Sequence, residues 1–279
     1  MYETRHIPAA RRLAAWLLAA VFSLSLCAQS AWASPAVSAE RTVIPLGQAV
    51  GIKLFADGVL VVALADGPTP ARACGLRQGD IITAMDGAAV GSTEQVQDLL
   101  ADTAGAPIVL SVRRGADALA LTACARENNG VWQLGAWIRD SMAGIGTLTY
   151  YDPATGQYGA LGHGITDVDT AQLMPLASGA IMETTVKAVK KGAKGDPGEL
   201  KGDFSVQRDV GTVTVNSDGG IFGTVSDADF PARSQAVPVA GAEEVNPGSA
   251  VILSTVSGEE IREYQVEIVK VFRDADSTR

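Results

Sequence analysis

Short apolar runs separated by turn residues fill most of the chain, and this pattern limits the folds that the chain can adopt. Runs such as GVLVVAL and PIVLSVRRG suit strands, and they are bounded by turn signals such as Asp86-Gly87 and Asp196-Pro197-Gly198. Glycine is abundant, at 30 residues, whereas aromatic residues make up only 5%. The pattern therefore predicts a mainly β protein with few helices.

The first 33 residues have the character of an export signal. Three arginines precede an apolar run from Leu13 to Leu26, and the small-residue sequence Ala31-Trp32-Ala33 follows. We predict that residues 1–33 are a signal peptide or a membrane anchor. A cleaved signal peptide is favoured over a membrane anchor, because the apolar run is short for a full membrane span of about 20 residues. The polar, unpatterned residues 34–44 are predicted to be a linker. The mature chain is therefore expected to be exported across the cytoplasmic membrane or anchored to it.

The net charge argues against one class of function, and the cysteines leave open whether the chain contains a disulfide. The formal net charge of −9 argues against nucleic-acid binding, which needs a basic face. Outside the predicted signal, Cys74 and Cys124 form either a disulfide, which an exported protein permits, or two small buried apolar side chains. No zinc-type spacing of Cys and His is present, so we predict neither a metal site nor a cofactor.

Residues 45–126 read as a small α+β domain. The segments AVGIKLF and GVLVVAL are predicted strands joined by a hairpin turn at Ala56-Asp57-Gly58. A short helix is predicted within Ala71–Leu76. The segment STEQVQDLLADT is the clearest helix, with Ser92 as its N-cap and Gln95 completing a capping box. Two more strands follow.

This order, together with the motif GLRQGDIITAMDG, resembles a bacterial PDZ domain over residues 45–126. The resemblance implies binding of an extended peptide as an added strand. Val50-Gly51-Ile52 is then the apolar-Gly-apolar loop that presents N–H groups to a terminal carboxylate, and Val96 and Leu100 line the groove. The alternative is that these residues are only the core of a small domain.

Residues 127–279 are predicted to be all-β, with a hairpin loop at Asp152–Gly156. His163 is the candidate catalytic residue of this region, since its flanking glycines permit a sharp turn and imidazole is the usual general base. Asp167 and Asp169 could orient the ring, but turn capping is the favoured interpretation. A metal site built from His163 and these aspartates is weakly supported.

A nucleophile for His163 is harder to find. Ser217, in NSDGG, is the tempting candidate because a protease serine often sits in a glycine-rich turn. The glycines follow Ser217, however, so their N–H groups are not placed as a preceding glycine would place them. A hairpin turn over Asn216–Gly219 is therefore favoured. The sequence offers a candidate base without a candidate nucleophile.

Four motifs, WIRDSMAGIGTLTYYDP, ALGHGITDVDT, KGDPGELKGDF and NSDGGIFG, occur in the order typical of SpoIVB peptidases, which this chain resembles. The resemblance implies an exported, PDZ-containing serine peptidase of endospore-forming bacteria with a chymotrypsin-like double β-barrel. It places His163 at the catalytic histidine of a His-Asp-Ser triad. It also implies self-cleavage, followed by cleavage of a protein partner such as a membrane-bound regulator of an intramembrane protease.

The family's catalytic Asp and Gly-x-Ser-Gly turn lie beyond the segment that YQVEIVKVF resembles. We therefore expect residues 127–279 to form an incomplete barrel region, and the chain as given to be inactive. The main alternative is a non-catalytic, exported PDZ adaptor that binds peptide tails. A third interpretation is that a separate polypeptide supplies the missing Asp and Ser.

Overall fold

The structure is a computed structural model that describes residues 41–195, 198–227, 230 and 235–273. The predicted signal segment, residues 1–33, and most of the predicted linker lie outside the described residues. The described residues from Thr42 onward form one compact unit. None of the described helices is long and apolar enough to cross a membrane.

The described residues are mainly β, as the sequence predicts. The helices are α1 (Pro70–Cys74) and α2 (Thr93–Thr103). The strands are β1 (Thr42–Leu64), β2 (Ile81–Met85), β3 (Ala88–Ala89), β4 (Pro107–Arg114), β5 (Asp117–Cys124), β6 (Arg126–Asn128), β7 (Val131–Gln133), β8 (Ala136–Asp152), β9 (Gln157–Ala160), β10 (Ser178–Lys190), β11 (Glu199–Ser217), β12 (Gly220–Val225), β13 (Val237–Pro238), β14 (Gly248–Ser254) and β15 (Arg262–Ile268).

Six of the strands pair in a closed circuit, which we call the ring. Its order is β1, β8, β9, β12, β11 and β10, and β10 pairs again with β1. All the pairings are antiparallel. The hairpin loop predicted at Asp152–Gly156 joins β8 to β9, and Asp152 Oδ1 accepts the N–H of Ala154 at 2.9 Å. The ring is the part of the fold that carries His163.

The remaining sheet extends from the second half of β1 through β2, β4 and β5, with α1 and α2 packed on it. Helix α2 begins as predicted, since Ser92 Oγ accepts the N–H of Gln95 at 3.2 Å. The Gln95 side chain accepts the N–H of Gly91, one residue before Ser92, so the predicted capping box is shifted by one residue.

Strand β1 lies between two hydrophobic cores. Leu60 and Val62 pack inside the ring, in what we call the ring core, together with Leu148, Tyr158 and Ile181. Val59 and Val61 point to the opposite face, the helix-side core, which also holds both helices. Successive side chains of a strand alternate between its faces, so one apolar run contributes to both cores.

The hairpin turn predicted near the start of the chain is wrong. Ala56-Asp57-Gly58 is not a hairpin turn, because β1 runs continuously through it, and its register with β8 shifts between Phe55 and Leu60. Thr42–Ile44, the end of the predicted linker, already belongs to β1. The early part of the predicted PDZ segment packs in the ring core, as Leu46, Val50, Ile52 and Leu54 show.

The two cysteines outside the predicted signal are free thiols. Cys74 is half-buried and Cys124 is exposed, and both line one cavity beside α1 and β5. The Cys74 thiol donates to the carbonyl of Ala71 at 3.2 Å. The structure therefore shows neither the disulfide nor a pair of buried apolar side chains.

Candidate functional site

His163 sits on a sharp turn that follows β9. Leu161 and Gly162 have positive φ values of 69° and 78°, which reverse the chain within two residues. Glycine adopts this backbone without strain, whereas a leucine there is uncommon. The turn leaves the imidazole of His163 exposed.

The hydrogen bond of the imidazole defines its tautomer. Nδ1 of His163 lies 3.0 Å from the carbonyl oxygen of Gly164. Because a carbonyl oxygen can only accept, we assign the proton to Nδ1 in the neutral ring. The lone pair of Nε2 is then available to take a proton, which is the tautomer that a general base needs.

His163 borders a cavity of about 450 Å³. One wall is the middle of β8, from Met142 to Thr147, and Gly198–Leu200 also line the cavity. An added Cβ at Gly146, in that wall, would lie 2.5 Å from Ile52 Cδ1, so the Ile52 side chain would have to shift. The cavity therefore brings an extended backbone close to a histidine.

The two aspartates after His163 serve the turn rather than the imidazole. Asp167 is fully buried, and its Oδ1 accepts the N–H groups of Asp169 and Thr170 at 3.0 and 2.9 Å. Its Oδ2 contacts the guanidinium of Arg139, whose other nitrogen donates to Asp169 at 3.0 Å. Among the described residues, no group of three or more His, Cys, Asp or Glu could hold a metal ion.

Asn216 also holds the segment that follows His163. This role was not predicted from the sequence. Its Oδ1 accepts the N–H of Ile165 at 2.8 Å, and its Nδ2 donates to the carbonyls of Ile165 and Met174 at 3.0 and 2.9 Å. The sequence shows Asn216 only as a turn residue. The sequence contains both an Asn and a glycine-framed segment, but no fixed spacing between the two marks them as a contact.

Ser217 forms the predicted hairpin turn. It pairs with Gly220 at the junction of β11 and β12. Its hydroxyl donates to the carbonyl oxygen of Gly220 at 3.1 Å. Ser217 is thus engaged in a local turn bond, although its own carbonyl lies near Gly164.

A second cavity, of about 390 Å³, lies between α2 and the start of β8. Val96 and Leu100 line it from the helix, and Leu134, Ala136 and Ile138 line it from the other side. Val96 and Leu100 are also buried in the helix-side core, so they serve in the core and in the lining. We call this cavity the α2 groove.

Val50-Gly51-Ile52 does not form the predicted carboxylate-binding loop. These residues lie inside β1, where they pair with β8 on one side and with β10 on the other. Gly51, for example, faces both Ile145 and Met182. A strand between two partners uses its N–H and C=O groups in the sheet, so this segment cannot present them to a ligand.

Asp140 connects α2 to β8. Its Oδ2 accepts the N–H of Thr93 at 2.7 Å and the Thr93 hydroxyl at 3.1 Å, while Ser141 donates to Oδ1 at 3.0 Å. Partial burial acts to raise the pKa of Asp140, but the hydrogen bonds outweigh it, so the pKa lies below its ordinary value.

Comparison with known proteins identifies the architecture. Residues 130–279 match the family described as SpoIVB peptidase S55, and residues 62–114 match the PDZ domain. The chain belongs to the SpoIVB peptidase S55 family. Membership implies a serine peptidase that acts on proteins or peptides, and the recognition of this family and of its PDZ domain from sequence motifs is confirmed.

A solved structure resembles part of this S55 chain. It is the PDZ domain of the SdrC-like protein from Listeria monocytogenes, with 25% identity over 29% of this chain and 87% of that chain, at a TM-score of 0.27. No curated protein matches the chain.

The ion pair beneath the histidine turn of this S55 chain yields a first prediction. Arg139→Ala leaves the Asp167 carboxylate fully buried without its cation, so we expect a loss of about 3 kcal/mol in the free energy of unfolding. Arg113→Ala removes an exposed pair with Asp57 and should cost less than about 1 kcal/mol. Urea denaturation of both variants measures the difference, and equal losses would contradict it.

A second prediction concerns pH. Because the pKa of Asp140 is lowered in the folded state, its carboxylate stabilises the fold above the ordinary value of 3.8. Asp140→Asn should therefore lower the free energy of unfolding by about 1 kcal/mol at neutral pH. The deficit should shrink below pH 3.8 and vanish once Asp140 is protonated. Asp117→Asn, at an exposed hairpin, is the control for urea titrations across this range, and a pH-independent deficit in Asp140→Asn would refute the assignment.

Proposed function

We propose that this chain is a SpoIVB-type serine endopeptidase with His163 as its general base. The observation that carries the proposal is the placement of His163, whose Nδ1 lies 3.0 Å from the carbonyl oxygen of Gly164 and which lines a cavity walled by an extended strand. Self-cleavage and cleavage of a partner protein in a sporulation signalling pathway are the proposed reactions. Protein or peptide segments are the proposed substrates.

In the proposed mechanism, His163 has a defined part in acyl transfer. A serine hydroxyl attacks the scissile carbonyl carbon while Nε2 of His163 takes its proton. In this structure the Nδ1 hydrogen bond to Gly164 holds the ring plane. Nε2 then returns the proton to the leaving amine, and a water molecule hydrolyses the acyl-enzyme by the same route in reverse. Arg139 and Asn216 act as positioning residues because they hold the segment after His163.

We propose further that the chain as given does not cleave peptides by itself. The hydroxyl of Ser217 is engaged by Gly220, and Asp167 is engaged by Arg139 and the turn. Within the part of the chain that the structure describes, His163 has no hydrogen bond to a serine or a carboxylate. A separate polypeptide that carries an Asp and a Ser is a proposed partner of His163.

A second candidate function is that of a non-catalytic adaptor that binds peptide tails. The α2 groove favours it, because it lies beside a strand and its lining includes the apolar side chains of Val96 and Leu100. In either case we propose that the chain is exported or membrane-anchored through residues 1–33 and that it works outside the cytoplasm.

A complementation assay separates these functions. A polypeptide that carries the family's Asp and Gly-x-Ser-Gly turn is added to the chain, and cleavage of a peptide substrate is followed. We expect no cleavage by the chain alone, cleavage with the added segment, and a loss of about 10⁴-fold or more in kcat/KM for His163→Ala. Asp218→Asn, in the exposed turn after Ser217, is the control that should retain activity.

Three outcomes of that assay count against a part of the proposal. His163-dependent cleavage by the chain alone would refute the inactivity. Cleavage that survives His163→Ala would refute the role of His163. Peptide binding that is never followed by cleavage, in any mixture, would favour the adaptor.

A further inference from the structure

The lysines of the chain are concentrated where β10 meets β11. Five of its seven lysines lie between residues 187 and 201, namely Lys187, Lys190, Lys191, Lys194 and Lys201. We call residues 187–201 the basic hairpin. The sequence of this segment has two acidic residues, Asp196 and Glu199, so five positive and two negative charges give it a formal charge of +3 in a chain of net charge −9. A local reversal of sign of this kind marks a surface that attracts anions.

The basic hairpin lies on the surface of the ring. Strand β10 pairs with β1 over Ser178–Glu183, and beyond that stretch it continues in its pairing with β11, for example Val189 with Leu200. Val186 is buried, whereas every residue from 187 to 195 is exposed. The lysine side chains of this run can therefore contact a partner without a change in the fold.

The neighbouring carboxylates do not remove the lysines from use. Lys187 Nζ lies 3.9 Å from Asp203 Oδ2, and Lys201 Nζ lies 3.9 Å from Glu199 Oε2. All four side chains are at least 60% exposed. Ion pairs between exposed side chains contribute little in water, because both charges stay solvated and salt screens them. These lysines can therefore exchange their present partners for a stronger anionic surface.

Apolar side chains lie among the lysines. Val189 is 46% exposed, and Ala188 and Ala193 are exposed as well. Segments that lie at a membrane interface combine cationic side chains with apolar ones that enter the headgroup region. The basic hairpin contains no aromatic residue, on which the bases of a nucleic acid would stack. Its composition therefore fits a membrane surface better than a nucleic acid.

We propose that the basic hairpin docks on the anionic phospholipids of a membrane surface. Each lysine close to such a surface strengthens binding by about fivefold. Charges more than about 10 Å away are largely screened at physiological salt, so the acidic remainder of the chain opposes docking less than its net charge suggests. The sequence prediction for residues 1–33 agrees with this partner, since a signal peptide or an anchor brings the chain to a membrane.

Docking of the basic hairpin also positions the cavity beside His163. Gly198–Leu200, which belong to the hairpin, line that cavity together with His163. With the hairpin on a bilayer, the polypeptide within reach of His163 is a segment close to the membrane surface. This choice of substrate rests on the proposed function, whereas the docking itself uses no catalytic group.

The test measures partitioning of the full chain onto vesicles by cosedimentation, together with backbone hydrogen exchange. One set of vesicles is phosphatidylcholine alone, and the other is an equal mixture of phosphatidylcholine and phosphatidylglycerol. We expect phosphatidylglycerol to strengthen binding by about tenfold or more at low salt, and high salt to remove this gain. The amides of residues 187–195 should gain protection on the mixed vesicles only.

Two variants with the same change in charge separate the hairpin from the rest of the surface. The hairpin variant carries Lys190→Gln, Lys191→Gln and Lys194→Gln. The control variant changes three exposed residues outside the hairpin and carries Arg77→Gln, Arg126→Gln and Lys270→Gln. The hairpin variant should lose about tenfold or more in binding to the mixed vesicles, whereas the control should bind as the wild type does. Residues 1–33 are identical in both, so their contribution cancels in the comparison.

The outcomes distinguish docking from the proposed function. Absence of a gain from phosphatidylglycerol, or equal losses in the two variants, would overturn the docking proposal. Stronger binding to soluble polyglutamate than to the mixed vesicles would also overturn it, in favour of an acidic protein partner. His163→Ala should bind the vesicles as the wild type does, so failure of the cleavage assay would leave the docking result intact.

Discussion

The antiparallel ladder between β1 and β8 is the contact on which the rest of the structure depends. Its pairs run from Ile44 with Tyr151 to Leu64 with Ala136, so the same two strands serve the ring and the helix-side sheet. Alternate side chains of β1 enter opposite cores, as Leu60 and Val61 do. The PDZ part and the peptidase part are therefore joined by hydrogen bonds and shared apolar surface rather than by a linker.

The features that could be predicted from the sequence are those fixed by neighbouring residues. Ser92 caps α2 through the N–H of Gln95, three residues on, and the loop at Asp152–Gly156 closes on its own carboxylate. The turn at Ser217 is set by its pairing with Gly220. Turn and cap chemistry acts over a few residues, so the sequence order alone displays it.

The features that could not be predicted depend on partners far along the chain. The apolar-Gly-apolar pattern at Val50-Gly51-Ile52 is compatible with a loop or a strand, and pairing with β8 and β10 decides for the strand. The support of the His163 turn likewise comes from Arg139 and Asn216, which lie on other strands. No local pattern marks an arginine or an asparagine for such a role.

The central claim is that the PDZ part and the peptidase part unfold as one structure. Urea unfolding, followed by residue-resolved hydrogen exchange, tests this claim most directly. Because both parts depend on β1 and β8, the amides of Leu110 in β4 and Ile181 in β10 should share one unfolding midpoint and one free energy of opening. Exchange in β4 and β5 at lower urea, while β10 and β11 stay protected, would contradict the account.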